Sequence, residues 1–274
     1  MSLGLVLQFQ PAELEAVYEL ATLLADCEEA PRRTQEFILF GRKDVPPEEM
    51  ARIRGALLGK FPKAIAIEPW DFATGWPHGP NTMWCSLMRQ LYDLARNGQT
   101  KASGFLTFEP DCIPCARDWL SRLETAWELA LRDGVEVLGH MHPNKEAPTH
   151  INGNAIFVTD FWKRHEEVTG CHGMMSWDTE FARTILPVGR DTPLISQWYR
   201  MPDFNLYQWK QIIKSGCVFF HGVKTPMGRA IARRQLLGTR VRARIAVPKP
   251  KPAKTAKPKA KTHARIRPTA HRRG

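Results

Sequence analysis

Nowhere in its 274 residues does the chain hold an apolar run near the ~20 residues that span a bilayer. A membrane-spanning protein is therefore not expected. The opening segment, Met1-Ser2-Leu3-Gly4-Leu5, lacks a basic region and a long apolar core, so no secretory signal is expected either. Six cysteines, at positions 27, 85, 112, 115, 171 and 217, are too scattered in a chain of this size to read as a disulfide framework. They read as reduced thiols of a cytoplasmic protein. Cys112-x-x-Cys115 has the spacing of half a zinc site, which only Cys171-His172 offers to complete, so buried thiols are the favoured reading. No internal repeat is found.

Acidic residues are absent after Asp203. From Gly222 onward there are 17 lysines and arginines and no acids, whereas the other 22 face all 28 acids within residues 1–221, a balance of −6. The overall charge of +11 thus hides a mildly acidic body and a strongly basic end. Residues 248–274 carry 10 of the basic side chains among Pro, Ala and Thr. Such a segment cannot bury enough apolar surface to offset its ordering entropy, so a disordered tail is expected after a domain spanning residues 1–247. The asymmetry points to a polyanionic partner, most simply nucleic acid, with a merely solubilising tail as the alternative.

What is present, with 43% hydrophobic residues, suffices for a sizeable α/β core. A helix is expected from Pro11 to about Glu29, then a buried strand at Glu36–Gly41. A helix opened by Pro46-Pro47-Glu48-Glu49 leads to a strand at Lys63–Glu68. A helix from Asn81 to Arg96, a strand ending at Glu109, a helix over 116–132 and a strand at 135–139 continue the rhythm. Alternation of this kind predicts a mostly parallel sheet flanked by helices. After His150 the pattern shortens, with helices expected at 178–186 and 207–215 and a strand over Cys217–Phe220. Beyond Arg229 a basic helix or arm is expected to about Leu237.

Phe105-Leu106-Thr107-Phe108-Glu109-Pro110-Asp111 delivers two carboxylates at the end of an apolar run. In open α/β sheets ligands collect at the carboxyl ends of strands, and paired acids there suit a hard divalent cation. The same pattern also serves as a solvated turn. Three further elements reach the same expected edge. Gly75-Trp76-Pro77-His78-Gly79-Pro80-Asn81 is a turn-rich loop that admits close backbone approach. His150-Ile151-Asn152-Gly153-Asn154 offers two amides, suited to hydroxyl recognition or simply to a turn. Phe219-Phe220-His221-Gly222-Val223-Lys224 offers an imidazole for a metal and an ammonium for a phosphate. Trp177-Asp178-Thr179-Glu180 adds carboxylates that either complement a helix dipole or act as a general base.

Taken together, residues 34–225 resemble a nucleotide-sugar glycosyltransferase of the GT-A type. Glu109-Pro110-Asp111 is similar to the family's Asp-x-Asp motif, with Glu in first place and proline between the acids. The resemblance implies a GT-A-like, Rossmann-like sheet, a Mn²⁺ or Mg²⁺ ion on Asp111 and His221, and a nucleotide-sugar donor, with UDP the usual nucleotide. It implies donor contacts from Gly75, Asn81, Glu109, Asn152, Asn154 and Lys224, and a base at Asp178 or Glu180 if the reaction inverts configuration. A transferase with a basic arm resembles, in overall logic, phage enzymes that glycosylate 5-hydroxymethylpyrimidines in DNA. The expected setting is then a bacterial or phage-infected cytoplasm, with Trp198, Tyr199 or Trp209 either packed as core aromatics or stacking on an extracted base or filling its gap. Two alternatives stay open: a surface or capsular polysaccharide as acceptor, and a nucleic-acid-binding protein with an inactive transferase-like body.

Overall fold

The computed structural model describes residues 2–142, 149–166, 174–198 and 204–238, all within one compact unit, Met1–Thr239. Its first strand, β1 (Ser2–Phe9), is a finding that the sequence reading does not anticipate. Leu3, Leu5, Val6, Leu7 and Phe9 are all buried there, and β1 occupies an interior place in the main sheet. A near-continuous apolar run is what a strand covered on both faces requires. Gly4 allows the close packing, since a Cβ at that position would run into the ring of Phe105.

A short 3-10 turn, Pro11–Glu13, leads into helix α1 (Leu14–Cys27), followed by β2 (Glu36–Gly41), α2 (Pro47–Leu58) and β3 (Lys63–Ile67). Proline at the start of α2, with Glu48 and Glu49 in its first turn, suits the amide-rich end of the helix. Next come α3 (His78–Arg96), β4 (Ala102–Phe108), the short β5 (Cys112–Pro114), α4 (Trp119–Arg132) and β6 (Val137–Gly139). A two-stranded ribbon pairs β7 (Met141–His142) with β8 (His150–Ile151), and β9 (Ile156–Val158) returns to the main sheet.

Three short helices follow: α5 (Phe161–Arg164), α6 (Trp177–Glu180) and α7 (Ala182–Ile185). The single helix expected over 178–186 is thus two, joined at Phe181. The remaining elements are β10 (Gly189–Asp191), β11 (Ile195–Gln197), α8 (Leu206–Lys214), β12 (Phe219–His221) and α9 (Pro226–Leu237). Asn205 caps α8 reciprocally with Gln208, and Thr225 caps α9 ahead of Pro226.

The seven-stranded sheet runs β10-β6-β9-β4-β1-β2-β3. Its pairs are parallel except where β9 runs opposite to β4 and β6. A second sheet, β11-β12-β5, pairs β12 antiparallel to β5 and sets His221 opposite Cys112. Against β9 lies an aromatic cluster in which the Trp84 ring stacks on Trp177 at 4.1 Å and meets Phe157 and Phe161 edge-on. Emptying such a core position costs about 3–5 kcal/mol.

The basic C-terminal helix is docked. Arg229, on α9, is buried against Glu19 of α1, and Arg233 pairs with Asp26. These guanidiniums serve the fold. Among the described residues no helix is long and apolar enough to cross a membrane. Cys27, Cys112, Cys115 and Cys217 are free and buried, but Cys85 is disulfide-bonded, which corrects the expectation of reduced thiols throughout. Cys171, His172, Tyr199 and the basic tail lie outside the described residues.

Candidate active site

The carboxyl end of β4 releases the chain at Glu109, and a tight turn brings it back into β5 at Cys112. Pairing of β5 with β12 then lays His221 across that turn. The His221 Nε2 sits 3.0 Å from Asp111 Oδ1 and 3.2 Å from Glu109 Oε2. Glu109, Asp111 and His221 each bring one ligand atom within 4.8 Å of the others. The backbone locks the same turn, since the N–H groups of Gly222 and Val223 both donate to the Asp111 carbonyl, at 3.1 and 2.8 Å.

Electrostatics tie the three together. Burial works against a charge on His221, but the Asp111 and Glu109 carboxylates outweigh it and lift its pKa to about 10. Burial likewise opposes ionisation of Asp111, yet His221 and then Lys224 hold its carboxyl below the usual range. Asp111 Oδ1 is buried and meets His221 Nε2 at 3.0 Å. A buried carboxylate oxygen is costly unless such a donor or a cation meets it. One imidazole nitrogen with two carboxylate oxygens is a donor set suited to Mn²⁺ or Mg²⁺. The residues present therefore fit a divalent cation. Among the described residues no other group of three such side chains converges, so Cys112 and Cys115 do not begin a metal site there.

The acid turn borders a cavity of about 720 Å³. Gly75, Glu109, Asp111, Asn152, Asn154, Asp178, His221 and Lys224 all line it, brought together from five separate stretches of chain. Two other expected residues do not reach it. Asn81 is 1% exposed, and its amide is spent holding α6: Nδ2 donates to the Met175 carbonyl and Oδ1 accepts from the Trp177 N–H, each at 2.9 Å. Glu180 accepts from the Met175 N–H at 3.1 Å, while Asp178 faces the cavity. Gly153 lets the amide loop lie against the Trp177 ring, where a Cβ would collide. Trp209 is a core aromatic at 5% exposure, whereas Trp198 is 39% exposed on the cavity wall.

Several lining residues carry no signal that the sequence reading picks up. Gln10, Glu13 and Arg42 close the cavity at the ends of β1 and β2, with Arg42 reaching Gln10 Oε1 at 3.0 Å. Burial, reinforced by the nearby Glu109 and Asp111, lifts the Glu13 carboxyl to about 7 against the pull of the Gln10 N–H and Arg42. Recognition of β1 would have flagged Gln10 and Glu13 through its carboxyl end, and Arg42 directly follows β2. Trp76 stands 71% exposed at the mouth, beside Gly75 at φ 76°.

No protein-family model matches the chain, and no curated protein matches it in sequence. Its fold is similar to that of LgtC, solved as an active-site mutant, with a TM-score of 0.52, 13% identity, and 86% of this chain and 95% of that chain covered. It is also similar to the glycosyltransferase GlyE of Streptococcus pneumoniae TIGR4, with a TM-score of 0.52, 10% identity and coverage of 85% of this chain and 60% of that one. The covered share of this chain is larger than residues 34–225 alone. The mostly parallel sheet flanked by helices is thus a GT-A-like fold, similar to that of these glycosyltransferases.

Proposed function

We propose that the protein is a divalent-metal-dependent transferase that moves a sugar from a nucleotide sugar to a hydroxyl acceptor. The observation that carries this reading is the convergence of Glu109, Asp111 and His221 on one wall of the cavity. A cation held there would neutralise charge on the departing nucleoside diphosphate. Lys224 places a positive side chain on the same wall for a phosphate oxygen. Gln10, Glu13 and Arg42 border the part of the cavity where the nucleoside would lie, with UDP the nucleotide put forward. Of Asp178 and Glu180, Asp178 is the one that lines the cavity, and it acts as base toward the acceptor hydroxyl.

For the acceptor we put forward a 5-hydroxymethylpyrimidine in DNA. The specific support is charge: 17 basic and no acidic residues follow Gly222, and among the described residues Arg229 and Arg233 are the members of that set paired with α1. Lysines and arginines attract phosphate backbone without reading sequence. Trp76 and Trp198 supply aromatic faces at the cavity for a base drawn out of the stack.

The test is nucleoside mass spectrometry of 5-hydroxymethylcytosine DNA incubated with the protein, Mn²⁺ and a panel of sugar nucleotides. A hexose-sized gain on the modified base, dependent on Mn²⁺ and absent from unmodified DNA, is the expected result. Mn²⁺-dependent release of nucleoside diphosphate without that gain would remove DNA as acceptor and keep the transferase. Neither product from any donor would overturn the transferase reading itself.

A further inference from the structure

The nine histidines include one set behind the proposed base that no part of the donor site uses. His150, on β8, is 7% exposed, and its Nε2 lies 3.9 Å from Asp178 Oδ2. The other carboxylate oxygen, Oδ1, accepts a 2.6 Å hydrogen bond from Ser176 Oγ. Asp178 is thus bonded through one oxygen to Ser176 and approached through the other by His150 while still lining the cavity. Asn152, two residues beyond His150, lines the same cavity, so the amide loop carries the imidazole in behind the carboxylate.

We propose that His150 is a positioning residue that holds Asp178 in register for removal of the acceptor proton. The inference rests on the transferase reading above and deepens it. In the step concerned, the acceptor O–H proton passes to the Asp178 carboxylate as the acceptor oxygen bonds to the anomeric carbon. The bond from that carbon to the diphosphate oxygen breaks, and its electron pair leaves with the nucleoside diphosphate. A contact of 3.9 Å is of ion-pair range and longer than a hydrogen bond; catalytic contacts of this kind commonly tighten when substrate arrives.

The neighbours of the pair are specific. The His150 ring meets His142 edge-on at 5.7 Å, His142 lies 6.4 Å from His140, and His140 Nδ1 is 4.0 Å from Asp191. Glu180 and Arg183 are the other charged residues on α6 and α7, the short helices packed against β8. A merely space-filling histidine would need no particular nitrogen toward Asp178. A positioning histidine needs the one that faces it.

Two variants separate these roles. His150→Phe keeps a ring and removes the nitrogens; kcat is expected to fall at least about 10-fold with the donor KM within about twofold. His150→Gln restores an N–H donor and should recover most of that activity. Wild-type kcat in His150→Phe would overturn the proposal. A readout independent of turnover is the ¹⁵N spectrum of the histidine rings. The His150 ring nitrogens should shift when Asp178→Asn removes the carboxylate charge, and unmoved resonances would overturn the pairing. A shifted spectrum in a protein that transfers no sugar would instead sink the transferase reading and leave the contact standing.

Discussion

The side-chain oxygen of Asn154 accepts a hydrogen bond from the backbone N–H of Glu109 at 2.9 Å, joining residues 45 apart in sequence. The same oxygen takes the Cys112 thiol at 3.1 Å. One amide therefore holds both ends of the turn that presents Asp111. Asn152 Oδ1 steadies it in turn, accepting from the Asn154 N–H at 3.0 Å and from Nδ2 at 2.8 Å.

Replacing this brace should loosen the acid turn. Asn154→Ala leaves the Glu109 N–H without its partner, a destabilisation of about 1–3 kcal/mol. Mn²⁺ affinity is expected to drop at least about 10-fold, as it does when groups behind metal ligands are removed. Asn154→Asp keeps an acceptor and should recover part of the stability. Titration calorimetry with Mn²⁺ and a thermal melt decide the matter; unaltered Mn²⁺ binding in a destabilised Asn154→Ala protein would show that the brace serves only the fold.

The metal assignment has its own test. Asp111→Asn and His221→Ala should each weaken Mn²⁺ binding by about 100-fold or more, the direct ligands exceeding their supports. Both should leave far-ultraviolet circular dichroism unchanged. Mn²⁺ binding of wild-type strength in Asp111→Asn would dismiss the site.

Glu13 gives a pH dependence with a definite sign. Its folded pKa of about 7 exceeds the ordinary 4.5, chiefly through burial. Between those values the folded protein keeps a proton that the unfolded chain has released. Stability of the metal-free protein should therefore fall as pH rises from 4.5 to 7, by about 2 kcal/mol from this group after allowing for its partial exposure. Glu13→Gln should remove that share of the decline and leave the variant more stable than wild type at pH 8. Urea unfolding at pH 5 and pH 8 measures it, and parallel declines in the two proteins would acquit Glu13.

Deleting 248–274 removes 10 basic residues. The slope of log affinity for duplex DNA against log salt should become shallower by about 0.9 for each phosphate that the shortened chain no longer neutralises. A filter-binding series between low and moderate salt reads it. An unchanged slope would mean that the tail neutralises no phosphates.

Much of this architecture is legible because buried parallel strands announce themselves as short apolar runs between helical stretches. Glu36–Gly41, Lys63–Ile67 and the strand into Glu109 fall close to where the residues place them. The strand at Ser2–Phe9 escapes such a reading because an apolar run at the chain start has no preceding helix to frame it. The acids and His221 are visible as chemical types. Their meeting depends on β5 pairing with β12, strands more than 100 residues apart whose association leaves no local pattern. Asn81 shows the converse: a polar residue beside a glycine-rich loop reads as a ligand contact, yet both ends of its amide are used to fasten the chain at Met175 and Trp177.

The reversed direction of β9 links chemistry to scaffolding. Its beginning shares an edge with the ends of β4 and β6, so the amides before it meet the acid turn after β4. Its end lies at the opposite edge, where Thr159 Oγ1 binds the Ala102 carbonyl at 2.7 Å beside the start of β4. Beyond it, Phe161 enters the aromatic core and His165 pairs with Glu136 at 2.6 Å. A single three-residue strand thus ends on the reactive edge at one side and on the packing of Phe161 at the other. Because Phe161 packs with Phe157 and Trp84, whose partner Trp177 lines the cavity, a change at the far end of the strand is carried back to the reactive surface through rings in contact.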